Sequence, residues 1–254
     1  MLVDYHLHTA RCGHARGTME EFVLAARGKG LIEIGFADHI PMYWLPDEHR
    51  DPEIAMSSTE LPAYIEEVLA LRAKYPEMTI KLGIEADYIP GREEELNQFL
   101  SGYDFDYVLG SVHYVESWGF DNPAYIARYK EWDIDELYHR YFDLVQQAAR
   151  SGLFNVMAHP DLVKKFGYRS QGSLHDLYAE TARVFKSAGV YVEINTAGLR
   201  APVGEIYPNH EFLQHCIKQG IRFTIGSDAH LPEQVGEGFE QVQLLVSEND
   251  IARL

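Results

Sequence analysis

Cysteine is scarce: Cys12 and Cys216 are the only two thiols in 254 residues, far apart and without metal-pair spacing. That count excludes a soft thiolate metal site and points to reduced thiols in a cytoplasm, with Cys216 in an ordinary packing role. Positive charge is also short, 22 Lys and Arg against 39 Asp and Glu, for a net charge of −17. Such a chain repels a phosphate backbone, so no nucleic-acid partner is expected, and an anionic substrate has to be captured locally by metal or by a few arginines. No apolar run approaches the roughly 18 residues of a membrane span. His6 and His8 arrive before a signal-peptide core could form, so the mature chain is expected to start near Met1. Low-complexity tracts and internal repeats are absent too.

What is present reads as an ordinary globular protein, 46% hydrophobic and 24% charged. The length suits one domain over residues 1–254, as in many α/β barrels. Short runs rich in β-branched or aromatic residues, at 2–5, 33–37, 79–84, 107–112, 155–158, 190–194 and 222–226, are each followed by a polar cluster. Between them lie segments of helical period at 19–27, 61–75, 93–100, 134–149, 174–187 and 211–219. Thr18 and Glu21 have capping-box spacing, and Gly152, Gly189 and Gly220 fall where helices should stop. Alternating strands and helices with short connections predict right-handed crossovers and a parallel sheet, here a distorted TIM-like (β/α)7 barrel. Residues 41–62, with Tyr43, Trp44, Pro46 and Pro52, form a longer irregular stretch that reads equally as a lid or as a surface excursion packed by its own aromatics.

In a parallel barrel the functional groups gather where the carboxyl ends of the strands converge. Every expected strand ends in candidate ligands: His6 and His8; Asp38 and His39; Glu85 and Asp87; His113; His159 and Asp161; Glu193 and Asn195; Asp228 and His230. Mixed histidine and carboxylate suits borderline divalent ions such as zinc, iron or manganese. On an extended segment His6 and His8 point to the same face and can grip one ion. His49, His139, His175, His210 and His215 fall in loops or helices and read as surface or packing residues.

Seven segments in order carry a resemblance: Asp4-Tyr-His-Leu-His8, Cys12-Gly-His14, Ala37-Asp-His39, Gly83-Ile-Glu-Ala-Asp87, Gly110-Ser-Val-His113, Ala158-His-Pro-Asp161 and Gly226-Ser-Asp-Ala-His230. Each is weak alone; together they resemble the polymerase and histidinol phosphatase (PHP) superfamily. Glu193-Ile-Asn-Thr-Ala-Gly-Leu-Arg200 and Glu205-Ile-Tyr-Pro208 are similar to its histidinol-phosphate phosphatase branch. The resemblance implies hydrolysis of L-histidinol phosphate, in histidine biosynthesis, at three divalent ions. One would be held by His6, His8, Glu85 and Asp228, a second by Glu85, His113 and His159, and a third by His14, His39 and His230.

For such a centre the expected chemistry is in-line attack by metal-activated water. Arg200 is expected to grip the phosphoryl oxygens, its planar fork suiting phosphate better than the flexible Lys164 and Lys165. Asp161 is a candidate acid for the leaving oxygen, Asp38 a candidate to orient a ligating histidine, and Glu116 and Asn195 candidates to contact the substrate. The expected partner is a small phosphorylated molecule, for a monomer or small homo-oligomer. Competing readings are a hydrolase of another small phosphoester, a non-catalytic domain stabilised by metal, and metal-dependent amide or ring hydrolysis.

Overall fold

The computed structural model describes residues 3–254; Met1 and Leu2, the expected opening of the first strand, lie outside them. In chain order β1 (Val3–Leu7), α1 (Met19–Gly28), β2 (Glu33–Phe36), α2 (Leu61–Lys74), β3 (Thr79–Asp87), α3 (Glu93–Leu100) and β4 (Tyr107–Ser111) follow one another. A small hairpin, β5 (Tyr114–Val115) and β6 (Trp118–Gly119), and a 3-10 segment at Pro123–Glu131 precede α4 (Ile134–Arg150). The chain continues through β7 (Val156–Met157), α5 (His175–Ala188), β8 (Tyr191–Asn195), α6 (His210–Lys218), β9 (Phe223–Gly226) and α7 (Phe239–Val242).

Seven of these strands form one parallel sheet in the order β1-β2-β3-β4-β7-β8-β9. Its two edges meet, because His8 N–H donates to Ala229 O at 3.0 Å and Ala229 N–H donates to His6 O at 3.2 Å. The sheet therefore nearly closes into the expected distorted TIM-like barrel, and all seven carboxyl ends share one rim. Local signals act as expected: Glu21 N–H donates to Thr18 Oγ1 while Thr18 N–H donates to Glu21 Oε2, the reciprocal pair of a capping box. At the far end of a helix, α5 stops at Gly189 with φ +74°, a left-handed position that suits glycine.

Two apolar layers hold this frame. The larger lies between the helices, with Phe22, Tyr64, Phe142 and Phe212, and strand residues including Ile34, Ile84 and Val192. The smaller comprises Val3, Tyr5, Ala37, Tyr107, Leu109, Val156 and Ala158. In it the Tyr107 hydroxyl crosses from β4 to donate to Tyr5 O on β1 at 2.6 Å. Gly35 and Gly83 leave that path open, since a Cβ there would lie 2.1 or 2.3 Å from Tyr107. Tyr107 thus floors the barrel beneath the rim.

The departures from expectation are local. Strand β7 has two residues rather than four, and β3 runs on through Asp87, so Glu85 and Asp87 stand inside a strand on one face. The two-residue strands of the hairpin are too short for alternation to reveal. The 41–62 stretch is neither a detached lid nor a bare excursion but a fastened wall. Tyr43 donates to Asp87 O at 2.9 Å, Trp44 meets Tyr114 edge-on at 5.5 Å, and Arg50 Nε reaches Met42 O and Leu45 O, each at 3.0 Å.

Candidate metal centre and its cavity

The rim brings together residues from sequence positions 6 to 230. Glu85 is at the middle: its Oε1 accepts from Ser111 Oγ at 2.5 Å and faces His159 Nε2 at 2.9 Å, while its Oε2 lies 3.0 Å from His39 Nδ1, 3.4 Å from His6 Nε2 and 3.6 Å from His8 Nε2. His113 Nε2 is 3.6 Å from Glu85 Oε1, and Asp228 Oδ1 is 3.1 Å from His8 Nε2. The His8 and His230 rings stack at 4.0 Å, those of His14 and His230 at 4.7 Å, and those of His14 and His39 lie 5.5 Å apart. All nine expected ligands therefore converge. Ligating atoms of His6, His8 and Glu85 lie within 4.8 Å of one another, three of the four expected for the first ion, and those of His8, His39 and His230 meet the same limit, with His8 where His14 was expected.

The donor set fits divalent metal on two independent grounds. First, His6 Nε2, His8 Nε2 and Glu85 Oε2 are buried and have no hydrogen-bond partner, an expensive arrangement unless a cation completes it. Second, three of the histidines are backed by carboxylates at Nδ1: Glu193 behind His6 at 2.7 Å, Asp38 behind His8 at 3.3 Å and Asp87 behind His113 at 2.8 Å. A carboxylate there holds the proton on Nδ1 and turns the Nε2 lone pair toward the centre, which is the usual support of a metal-bound imidazole. His159 and Asp228 carry this function at a conformational cost, with φ of +26° and +53° that non-glycine residues seldom adopt.

The electrostatics agree. Burial disfavours the imidazolium of His6, yet Glu193, Asp228 and Glu85 outweigh it and hold its pKa well above the usual value. His113 is likewise buried, and Asp87, Asp121 and Glu85 push it up to about 10. Burial also opposes ionisation of Glu85, but His39, His6 and His113 keep its carboxyl well below the usual range. His14 goes the other way, lowered to about 4 by burial and by His39 and His8. Buried carboxylates here call for positive charge, and without divalent ions protons supply it.

Around the centre is a cavity of about 340 Å³ lined by His14, His39, His113 and His159 together with Asp121, Lys165, Arg200 and Tyr207. Arg200 lines this cavity: Nη2 donates to Ser227 O at 2.7 Å and Asp228 O at 3.1 Å, and Nη1 is buried without a hydrogen bond, 3.5 Å from Glu237 Oε2. Asp38 is fully buried and outside the cavity lining, taking His39 N–H at 2.8 Å and Thr9 N–H at 3.1 Å besides His8. Asn195 is set behind the ligands as well, its amide donating to Glu193 Oε2 at 3.0 Å and Asp228 Oδ2 at 3.3 Å.

Three expectations require correction. Asp161 does not reach the cavity: it is fully buried, ion-paired to Lys164 at 2.8 Å and accepting Asn209 N–H at 2.8 Å, so it has no path to a leaving oxygen. Glu116 stands exposed, paired with Arg140 outside the cavity, because its turn at φ +48° swings the side chain to the surface. Cys12, discounted by the thiol count, is buried with Sγ within 4.8 Å of ligating atoms of His14 and His230. Sequence reasoning assigned no role to Asp121, and it preferred Arg200 over Lys165, which shares the cavity with it. The supporting roles of Glu193 and Asp87 had one available signal, their positions at strand ends.

Nearly closed parallel barrel, rim-mounted histidines and carboxylate-backed imidazoles together define a metal-dependent phosphoesterase architecture, and the chain belongs to the PHP domain family, which matches residues 4–197. Relatives within it include proteins named histidinol-phosphatase and others named probable phosphatase. A Deinococcus radiodurans protein named probable histidinol-phosphatase is 43% identical over 94% of this chain and 90% of its own length. The Bacillus subtilis histidinol-phosphatase is 29% identical over 93% of this chain and 96% of its own. Among solved structures, the Lactococcus lactis histidinol phosphate phosphatase, complexed with zinc, L-histidinol and phosphate, superposes with a TM-score of 0.82 at 23% identity, covering 99% of this chain and 95% of that one.

Proposed function

We infer that this protein is a metal-dependent histidinol-phosphatase that hydrolyses L-histidinol phosphate to L-histidinol and phosphate. The observation that carries the reading is one cavity lined by Arg200 and by seven of the nine candidate ligands, in a chain 43% identical to a probable histidinol-phosphatase over 90% of that protein's length. Three ions, zinc, iron or manganese, are assigned to His6, His8, Glu85 and Asp228, to Glu85, His113 and His159, and to His14, His39 and His230. Bound there, divalent ions supply Lewis acidity and a water acidified enough to act as nucleophile near neutral pH.

The chain's own residues do the rest. Arg200 and Lys165 bind the phosphoryl oxygens and offset their charge, and Glu193, Asp38 and Asp87 fix imidazole tautomers so that donor lone pairs face the centre. Tyr207 and Leu162 shield one side of the cavity from water. Asp121 lines the cavity beside Lys165, where Asp161 does not reach. The reading extends to one domain over residues 1–254, working in the cytoplasm as a monomer or small homo-oligomer on a small substrate, with no nucleic-acid or membrane partner. It is supported by the acidic charge and by the absence, among the described residues, of any helix long and apolar enough to cross a membrane.

The test is phosphate release from L-histidinol phosphate beside nucleotides and sugar phosphates, with metal content measured on the same preparation. Selective turnover with about three ions per chain is expected for a trinuclear centre. Turnover confined to other esters refutes the substrate, and a metal-loaded but inert protein refutes the catalysis.

A further inference from the structure

Against the metal cavity lies a second one of about 670 Å³, and the two share His14, His39, His113, Asp121 and Lys165. The two therefore adjoin along these residues. The two chambers differ in chemistry. The first is lined by Arg200 and seven of the candidate ligands, whereas the second is lined by Met42, Ile54, Tyr114 and Tyr125, with Asp51, Glu53, Asp87 and Arg16 as its charged residues beyond those shared. One chamber suits a phosphoryl group and the other a flat, weakly basic ring with positive charge nearby.

Where the two adjoin, Lys165 Nζ and Asp121 Oδ2 are 3.1 Å apart, with side chains 29% and 23% exposed. Asp121 has no other hydrogen-bond partner among the described residues, which leaves Oδ1 free toward the cavities. In L-histidinol phosphate the ammonium sits on the carbon next to the ester methylene, so phosphoryl and ammonium groups are close neighbours of opposite charge. Resting on the proposed histidinol-phosphatase activity, we propose that Lys165 and Asp121 read this pair together. Lys165 turns to the phosphoryl oxygens, Asp121 receives the substrate ammonium, and the imidazole enters the second chamber beside Tyr114.

The exchange explains selectivity by repulsion as well as attraction. When Lys165 leaves for the phosphate, Asp121 loses its partner in a half-buried place. A substrate ammonium replaces that partner, whereas an ester without an amine leaves the carboxylate unpaired and facing a phosphate anion. Sites built to bind a polar group reject analogues lacking it far more strongly than sites that only fit shape.

The test compares kcat/KM for L-histidinol phosphate with that for the same ester lacking the amine, 3-(imidazol-4-yl)propyl phosphate, on the metal-loaded wild-type enzyme, Asp121→Asn and Asp121→Glu. Wild type should prefer the amine-bearing ester by at least about 100-fold. Asp121→Asn should cut that ratio by about tenfold or more, because the amide neither attracts the ammonium nor repels its absence, and Asp121→Glu, which keeps the charge, should restore most of it. The ratio is insensitive to a general loss of active enzyme, which lowers both rates equally. A wild-type enzyme indifferent to the amine overturns the inference without any variant, as does an unchanged ratio in Asp121→Asn. Wild type inert toward both esters overturns the proposed activity itself.

Discussion

Glu193→Gln isolates the contribution of the carboxylates behind the histidines. Glu193 is buried at 1% exposure and accepts on both oxygens: Oε1 from His6 Nδ1 at 2.7 Å, and Oε2 from His159 N–H at 2.9 Å and from Asn195 Nδ2 at 3.0 Å. Glutamine has the same shape but one acceptor oxygen and one donor amide, so whichever way it turns an amide meets a donor. One buried donor left unpaired costs about 1–3 kcal/mol of stability. The larger consequence is at the metal. Without the negative charge behind it, His6 is a weaker base and its ring is free to turn, and such supporting groups typically contribute 10- to 100-fold in metal affinity. That range equals about 1.4–2.8 kcal/mol of binding free energy. Chelator competition on metal-depleted protein, with phosphate release measured on the reloaded protein, reads both effects. An affinity within about threefold of wild type, alongside the expected fall in melting temperature, would show that Glu193 merely fills space and would refute the reasoning.

Gly226→Ala should damage the same cluster from the other side, since a Cβ there would lie 2.0 Å from Glu193 Oε1 and 2.6 Å from His6 Cβ. Loss of metal on dialysis, with a circular dichroism spectrum like wild type, is the expected result, and full retention counts against it. Lys164→Met removes the buried partner of Asp161 at 2.8 Å and Glu205 at 3.0 Å, and breaking such a pair costs about 3–5 kcal/mol, read from denaturant midpoints. A change under about 1 kcal/mol would show that Asp161 is held well enough by Asn209 N–H alone. The metal-free protein should lose stability as pH rises from about 6.5 to about 10. His113 binds its proton more tightly folded, at about 10, than at its ordinary 6.5, so its contribution is complete below 6.5 and is lost as pH rises through 10. Calorimetry of chelated protein across that window gives the slope, and a flat or rising melting temperature contradicts the charge assignment.

The sequence alone determined the barrel and the candidates at its strand ends. Parallel strands announce themselves by short apolar runs alternating with helical periods, and the rule that chemistry gathers at strand ends then offered thirteen residues with no distances at all, from which the family resemblance selected the expected ligands and added His14. Those residues are read by position along the chain, which is what a sequence records. What the tertiary structure decided is which groups face the cavity and which stand behind it. Asp38, Asp161, Glu193 and Asn195 all lie at or just beyond the carboxyl ends of strands, yet Asp38 and Glu193 back histidines, Asn195 steadies Asp228, and Asp161 is captured by Lys164. Glu116 was lost to the surface by a left-handed turn, while Asp121 and Lys165, from segments that give no strand signal, were brought together where the two cavities adjoin. Ligand identity is a property of local sequence, whereas proton-transfer and substrate contacts depend on side-chain direction and on partners supplied by distant segments, which only the packed barrel fixes.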